Sequence, residues 1–377
     1  NNWSLSYDNV NLLDPGDDPI DNLRFLVFLA CVIEAVDEYQ ELLRMSVASA
    51  GNDHRLGADE APPAIVSIFL GDELDAIVDA LIKGDEYHSA EAISMDLGVA
   101  VLPQFLKDNT DRNRTSPFAF TGNKFEFRMP GSAVNLSDCN MILNTAVAKS
   151  LKDFADACEG LEGAEFEKKA ISYVRQLLTD HKRIIFNGNG YSEEWQEEAA
   201  RRGLANHRNT AEALPCFVSQ KSIDLFAEFG ILSESEVHSR YEVKLDKYTK
   251  LLNIEARVMI RMARRTYLPA ISKYMRDLAE TITSVKAAIA SSDMEEHEKL
   301  LSYLVKGTNA VAACTRTLIA EHDSAEAIED LQEQAYAYAE KVIPAMDALR
   351  AEIDALECVV ENDYWPVPTY NDILFYN

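Results

Sequence analysis

Positive charge is what this sequence has least of. Its 36 lysines and arginines face 63 aspartates and glutamates, a formal net charge of −27. Such a surface repels a phosphate backbone unless one patch is locally basic, so neither nucleic acid nor an anionic membrane is an expected partner. Long apolar runs are missing too. The longest near the start, Phe25 to Ile33, falls well short of the ~20 residues a bilayer requires. The chain opens on polar Asn1-Asn2 with no basic stretch, so no secretory leader is expected; it also lacks an initiator methionine and begins in mid-phrase. Its six cysteines (Cys31, Cys139, Cys158, Cys216, Cys314, Cys358) contain no Cys-x-x-Cys and read as reduced, mostly buried small hydrophobes of a cytoplasmic protein. In that compartment the sequons at Asn113 and Asn135 carry no weight. The seven histidines are scattered, which argues against a zinc site, and no Gly-x-Ser-x-Gly marks a serine hydrolase. Gly188-Asn-Gly190 lacks the third glycine of a dinucleotide loop and reads as a turn.

What is present suits an α+β, helix-rich chain of 377 residues, long enough for two or three domains. Asp18-Pro19 is a helix opening, and Leu26, Leu29, Ile33 and Val36 predict a buried helix running to about Met45. Gly51 to Pro63 is rich in turn formers and charge and reads as a loop. Ala64 to Leu70 predicts a buried strand; Asp72 then caps a helix with Leu74, Ile77, Val78 and Leu81 on one face. Ser116–Phe120 and Lys124–Arg128 predict a hairpin around Gly122. Period two puts Phe125 and Phe127 on one face of its second strand and Lys124, Glu126 and Arg128 on the other.

After about Asn140 the character changes, and the chain is Ala/Glu/Lys/Leu-rich and helical to Glu361. Leu251, Ile254, Val258 and Met262 form one expected core stripe; Met346, Leu349, Ile353 and Leu356 form another. Ser292-x-x-Glu295 and Asp323-x-x-Glu326 read as capping boxes that split three long helices. Pro269 and Pro344 predict kinks. The tail from Tyr364 to Phe375, with two prolines and four aromatics, is expected to dock on something apolar.

The residues with chemical potential are arginines and glutamates in loop or strand context: Arg55, Glu60, Arg112, Arg114, Glu126 and Arg128. Arginines clamp carboxylates and phosphates bidentately, and a glutamate among them can hold a hard divalent cation. That inventory suits phosphoryl transfer. It equally describes surface ion pairs, and residue types alone do not separate the two.

At these same residues the sequence resembles the type III branch of the glutamine synthetases. The segments that carry the resemblance are Asn1–Ser4, Gly51–Pro62, Asp111–Phe120, Gly122–Pro130 and the Trp365-Pro-x-Pro-Thr-Tyr tail, spread over nearly the whole chain; it weakens at Ala133–Asp138. The resemblance implies ATP-dependent ligation of ammonia to L-glutamate through a γ-glutamyl phosphate. It implies that Glu126 ligates a divalent metal, Mg2+ or Mn2+, bridging the ATP phosphates. Arg55 and Arg128 bind substrate glutamate, and Arg114 neutralises the transferring phosphoryl group. Glu60 is the flap carboxylate that closes the site and deprotonates ammonium. Asn2, Ser4, Arg112 and Lys124 fall at nucleotide-binding positions, Lys124 where many relatives carry arginine. Ala119 stands where many relatives have another phosphate-binding arginine.

The family's metal-binding histidine, paired metal glutamates and N-terminal β domain precede the position of Asn1. The expectation is therefore the C-terminal portion of a longer enzyme, inactive alone. Residues 1–140 correspond to the latter part of the catalytic domain, with a mostly antiparallel sheet, and 141–377 to a helical extension. The resemblance also implies a homo-oligomer, a dodecamer for the full-length parent. Two alternatives stay open: a ligase that amidates glutamate with a polyamine, and a non-catalytic helical assembly or regulatory module.

Overall fold

The first residues fold as three short strands, β1 (Asn2–Trp3), β2 (Ser6–Tyr7) and β3 (Val10–Asn11). Asp8 and Asn9 join β2 to β3 with φ of 48° and 65°, the left-handed pair a mirror-type hairpin turn demands. The structure, a computed structural model, describes residues 1–58, 61–84, 94–95, 105–106 and 115–375. Glu60, Arg112 and Arg114 lie outside these. Two units separate, Asn1–Tyr241 and Glu242–Asn377, and the change in composition near Asn140 falls within the first.

In the first unit, α1 (Leu23–Glu38) opens at Asn22, not at Asp18-Pro19, because the Asn22 side chain accepts the free amide of Phe25. The helix predicted to run to Met45 breaks at Tyr39 and resumes as α2 (Gln40–Ser46). α1 is buried nearly all round, from Phe25 to Asp37, as a helix sandwiched between others must be. The stretch read as a loop begins with one helical turn, α3 (Ala50–Asp53), capped by Ser49. Only Ile68–Phe69 of the apolar run pairs as strand β4. Its chain then turns through Gly71, which occupies the cap position given to Asp72, into α4 (Asp72–Lys83). Leu74, Ile77 and Val78 are buried there, with Leu81 half-buried. β5 (Ser94–Met95) and β6 (Phe105–Leu106) pair antiparallel with each other.

The predicted hairpin is present as β7 (Phe118–Phe120) and β8 (Phe125–Phe127), with Gly122 at φ 92°. The main sheet runs β1-β8-β7-β4, antiparallel except for the β7–β4 pair. Phe118, Phe125 and Phe127 are fully buried on its inner face; Phe118 and Phe125 stack at 4.7 Å, and Phe120 meets Phe25 of α1 at 6.0 Å.

Two long helices, α5 (Ser137–Ala157) and α6 (Gly163–His181), pack on α1. The chain then returns to the sheet: Ile185 bridges Ile68, and the Asn187 side chain accepts the amides of Leu70 and Gly71 at 2.9 and 3.0 Å. A Cβ on Gly190 would lie 2.4 Å from the Thr115 carbonyl oxygen, so this turn needs glycine for a close backbone approach. Three short helices, α7 (Glu193–Arg201), α8 (Thr210–Ala213) and α9 (Gln220–Glu228), complete the unit.

α10 (Glu234–Met262) carries into the second unit, followed by α11 (Leu268–Ala288), α12 (Glu295–Glu326), α13 (Leu331–Ala337) and α14 (Ile343–Glu357). The Met346 stripe is buried as expected, but the Leu251 stripe is not. Leu251, Ile254 and Val258 are exposed, and Leu245, Tyr248, Leu252 and Ala256 occupy the core side instead. Both capping-box readings fail. α12 starts at Glu295, whose amide bonds to Asp293, and it runs unbroken through Asp323 to Glu326. The cap lies further on, where Asp330 accepts the amide of Glu333. Pro269 and Pro344 leave their mark as a change of helix type. Each follows a π turn, Ala263–Tyr267 and Tyr338–Val342, since the missing N–H and the ring's clash four residues back widen the helix there. The tail docks in part: Trp365 packs on Tyr267 at 5.2 Å and the Tyr364 hydroxyl bonds to Asp277. In α15 (Tyr370–Leu374) and just beyond it, Ile373, Leu374 and Phe375 are exposed.

Candidate functional site

The outer face of the main sheet carries one continuous row. Asn2 of β1 and Ala119 of β7 are the direct partners of Glu126 on β8, and residues opposed in an antiparallel ladder share a face. Two residues along, Arg128 lies on the same face and its Nε donates to Glu126 Oε2 at 2.8 Å, the two side chains 9% and 29% exposed. The pair is half-sheltered, and Ala119 beside Glu126 is fully buried.

Arg55 arrives from the turn after α3. Its Nη1 donates to the Met129 carbonyl at 2.9 Å and its Nη2 to the Arg128 carbonyl at 3.0 Å. Arg55, distant in sequence, is thus brought beside Glu126 and Arg128. Ser4 lies at the hairpin's far end, where its hydroxyl bonds to Asn11 and to the carbonyl of Asn123, the residue before Lys124, at 3.2 Å. Lys124 itself is exposed. Glu60, Arg112 and Arg114 lie outside the described residues, although Thr115, directly after Arg114, is held against Gly190.

The donor set fits a divalent cation in part. Arg128 engages only one Glu126 oxygen, so a hard carboxylate oxygen remains to ligate, with the neighbouring arginines suited to anionic groups around it.

Residues that sequence reasoning passed over hold this platform. Asp53, next to the Arg55 turn, accepts from the Thr210 amide at 2.7 Å and the Thr210 hydroxyl at 2.9 Å, and pairs with buried Arg44 at 3.3 Å. Burial raises the Asp53 pKa, against the pull of Thr210 and Arg44; burial likewise lowers that of Arg44. On α1, Asp37 accepts from Arg183 Nε at 3.0 Å and faces His181 Nδ1 at 2.8 Å. Asp37 was signalled only as a charge inside an otherwise apolar helix, and Asp53 not at all.

Other chemistry is weaker. Burial pushes the Cys31 thiol up to about 12 and raises Cys139 and Cys216 as well, the opposite of an activated nucleophile. His322, Asp323 and Glu326 place ligand atoms within 4.8 Å of one another. Arg257, 2.6 Å from Glu326, already supplies the positive charge there. No described helix is long and apolar enough to cross a membrane.

A family model described as the glutamine synthetase C-terminal domain matches residues 169–286. The whole chain is 42% identical to the type-3 glutamine synthetase of Dictyostelium discoideum, covering 52% of that protein. It is 41% identical to a glutamine synthetase of Butyrivibrio fibrisolvens and 38% identical to one of Bacteroides fragilis (strain YCH46), covering 53% of each. The chain therefore spans about half the length of the curated relatives it matches.

Proposed function

We propose, on the premise that this chain is related along its whole length to the type-3 glutamine synthetases, that it serves ATP-dependent ligation of ammonia to L-glutamate. The observation that carries the reading is the convergence of Arg55, Glu126 and Arg128 at the end of β8 in a chain of that ancestry. In this reading residues 1–140 are the latter part of the catalytic domain and 141–377 the helical extension of a cytoplasmic homo-oligomer, a dodecamer.

Arg55 and Arg128 hold substrate glutamate by its carboxylates. Asn2, Ser4, Arg112 and Lys124 hold the nucleotide. A side-chain carboxylate oxygen of glutamate attacks the γ-phosphorus of ATP and ADP leaves, while Arg114 neutralises charge on the group in transit. Mg2+ or Mn2+, with Glu126 among its ligands, supplies charge neutralisation at the ATP phosphates when bound. Glu60 takes a proton from ammonium, the freed ammonia attacks the acyl carbon, and inorganic phosphate leaves. A carboxylate on a closing loop also keeps water from the acyl phosphate.

The test is Glu60→Ala in the protein at its natural length. Turnover should fall at least about 100-fold, the ordinary worth of a positioned base, with ATP binding unchanged. Equal turnover in the variant would refute the role and favour a scaffold. Full activity when methylamine replaces ammonium would move the assignment to an amine ligase.

A further inference from the structure

We propose that Asn52 is a positioning residue for substrate glutamate, acting through Arg55 and the backbone of Arg128; this rests on the glutamate-binding role given above to those arginines. Asn52 is 3% exposed, and nothing in the sequence marked it as functional. Its Nδ2 donates to the Val47 carbonyl at 2.8 Å and to the Met129 carbonyl at 3.0 Å; its Oδ1 accepts from Arg55 Nη1 at 3.3 Å. Arg55 Nη1 donates to the same Met129 carbonyl, and Nη2 to that of Arg128. Asn52, Arg55 and Met129 therefore close a small ring of hydrogen bonds at the end of β8.

The ring decides which edge of the guanidinium is left for a ligand. Arginine has five N–H donors in a fixed fork. Both on Nη1 and one on Nη2 are committed to Asn52 and the two carbonyls, which uses up the end-on edge. The side-on edge remains, Nε–H with the second Nη2–H, and it meets no acceptor among the described residues. Two parallel N–H groups of this kind grip a carboxylate bidentately. Rotating the guanidinium would lose that edge, and Asn52 opposes the rotation from below.

Only a primary amide supplies this pattern of two donors and one acceptor. A carboxylate would set an oxygen against two carbonyl oxygens and draw Arg55 towards itself. Gly131 closes the ring from the other side: a Cβ there would lie 3.0 Å from Asn52 Oδ1.

The experiment compares wild type, Asn52→Asp and Gly131→Ala in the natural-length protein. Steady-state kinetics for glutamate and ATP are read alongside calorimetric glutamate binding and thermal unfolding. The glutamate KM should rise at least about 10-fold in Asn52→Asp, with the ATP KM within twofold of wild type. Gly131→Ala, which crowds Asn52 without removing a partner, should shift the glutamate KM the same way by a few-fold and decides the matter where Asn52→Asp fails to fold. A lowered Tm or kcat with unchanged glutamate KM would make Asn52 merely structural and overturn the proposal. So would equal rises in both KM values. Wild type that binds no glutamate would overturn the ligase reading together with this one, whereas wild type that binds and turns over, beside indifferent variants, overturns this one alone.

Discussion

Replacing Arg44 with methionine isolates the buried ion pair under the Arg55 turn. The two side chains are 2% and 8% exposed, with Arg44 Nη2 3.3 Å from Asp53 Oδ1. Methionine keeps the stem's packing and removes the charge, which leaves the Asp53 carboxylate buried with only its two Thr210 bonds. Breaking such a pair costs about 3–5 kcal/mol. Two features pull the figure down. Thr210 still solvates Asp53, and Arg44 Nη1 is a buried donor without a partner, whose removal returns part of an unsatisfied group's cost of about 1–3 kcal/mol. A loss of about 2–3 kcal/mol at pH 7.5 follows. The loss must also depend on pH. The folded pKa of Asp53, already raised by burial, rises further without Arg44. A carboxyl with a raised folded pKa contributes its full stability below its unfolded value of about 3.9 and loses it as pH climbs through the folded value. The deficit of Arg44→Met should therefore shrink between pH 7.5 and pH 5. Urea unfolding followed by the fluorescence of Trp3 and Trp195, both buried in the first unit, measures it at each pH. A loss below about 1 kcal/mol, or one equal at the two pH values, would refute the reasoning.

His181 gives the second pH signature. Burial opposes its charge, but the hydrogen bond and charge of Asp37, with Glu34 and Glu38 nearby, outweigh it and raise the pKa. A raised imidazole contributes fully below about pH 6.5, its unfolded value, and fades as pH rises through the folded one. The stability gap between wild type and His181→Gln should accordingly be larger at pH 5.5 than at pH 8.5; a gap that widens with pH would contradict the ion pair. Gly190→Ala drives a methyl into the Thr115 backbone carbonyl and should cost about 1–3 kcal/mol. Gly51→Ala, in α3 with open space at its Cβ, should be neutral or stabilising by up to ~1 kcal/mol. Similar losses in both would remove the steric argument.

Period-two alternation located the hairpin because Phe125 and Phe127 have to be buried together, and a two-residue period leaves no choice for Glu126 and Arg128. That the prolines disturb their helices was equally legible, since the effect is local and steric; that the disturbance takes the form of a π turn was not. Helix ends were less so. Asn22 prevailed over Asp18, and Asp330 over Asp323, because a cap is chosen by where packing lets the helix end and not by residue type alone. The Leu251 stripe misled for a related reason: α10 has apolar residues on two faces, and tertiary contact buries the one with Leu245, Leu252 and Ala256. Arg55 and Arg128 were visible as residue types, but their juxtaposition depends on Asn52 and on backbone carbonyls, to which side-chain spacing is blind. Asp53 was hidden inside a stretch read as a charged loop, with nothing to single it out from its charged neighbours.

The π turns before Pro269 and Pro344 are the places where these helices can change length. A π turn accommodates one more residue than an α turn, and each residue rotates the following side chains by about 100°. Deleting one residue between Ala263 and Tyr267 would let that turn close to α geometry with Ala270, Ile271, Leu278 and Ile282 still facing the core, whereas the same deletion inside an α segment would swing every later side chain round. Homologous helices should accordingly tolerate a one-residue gap at these two turns and not elsewhere along their length.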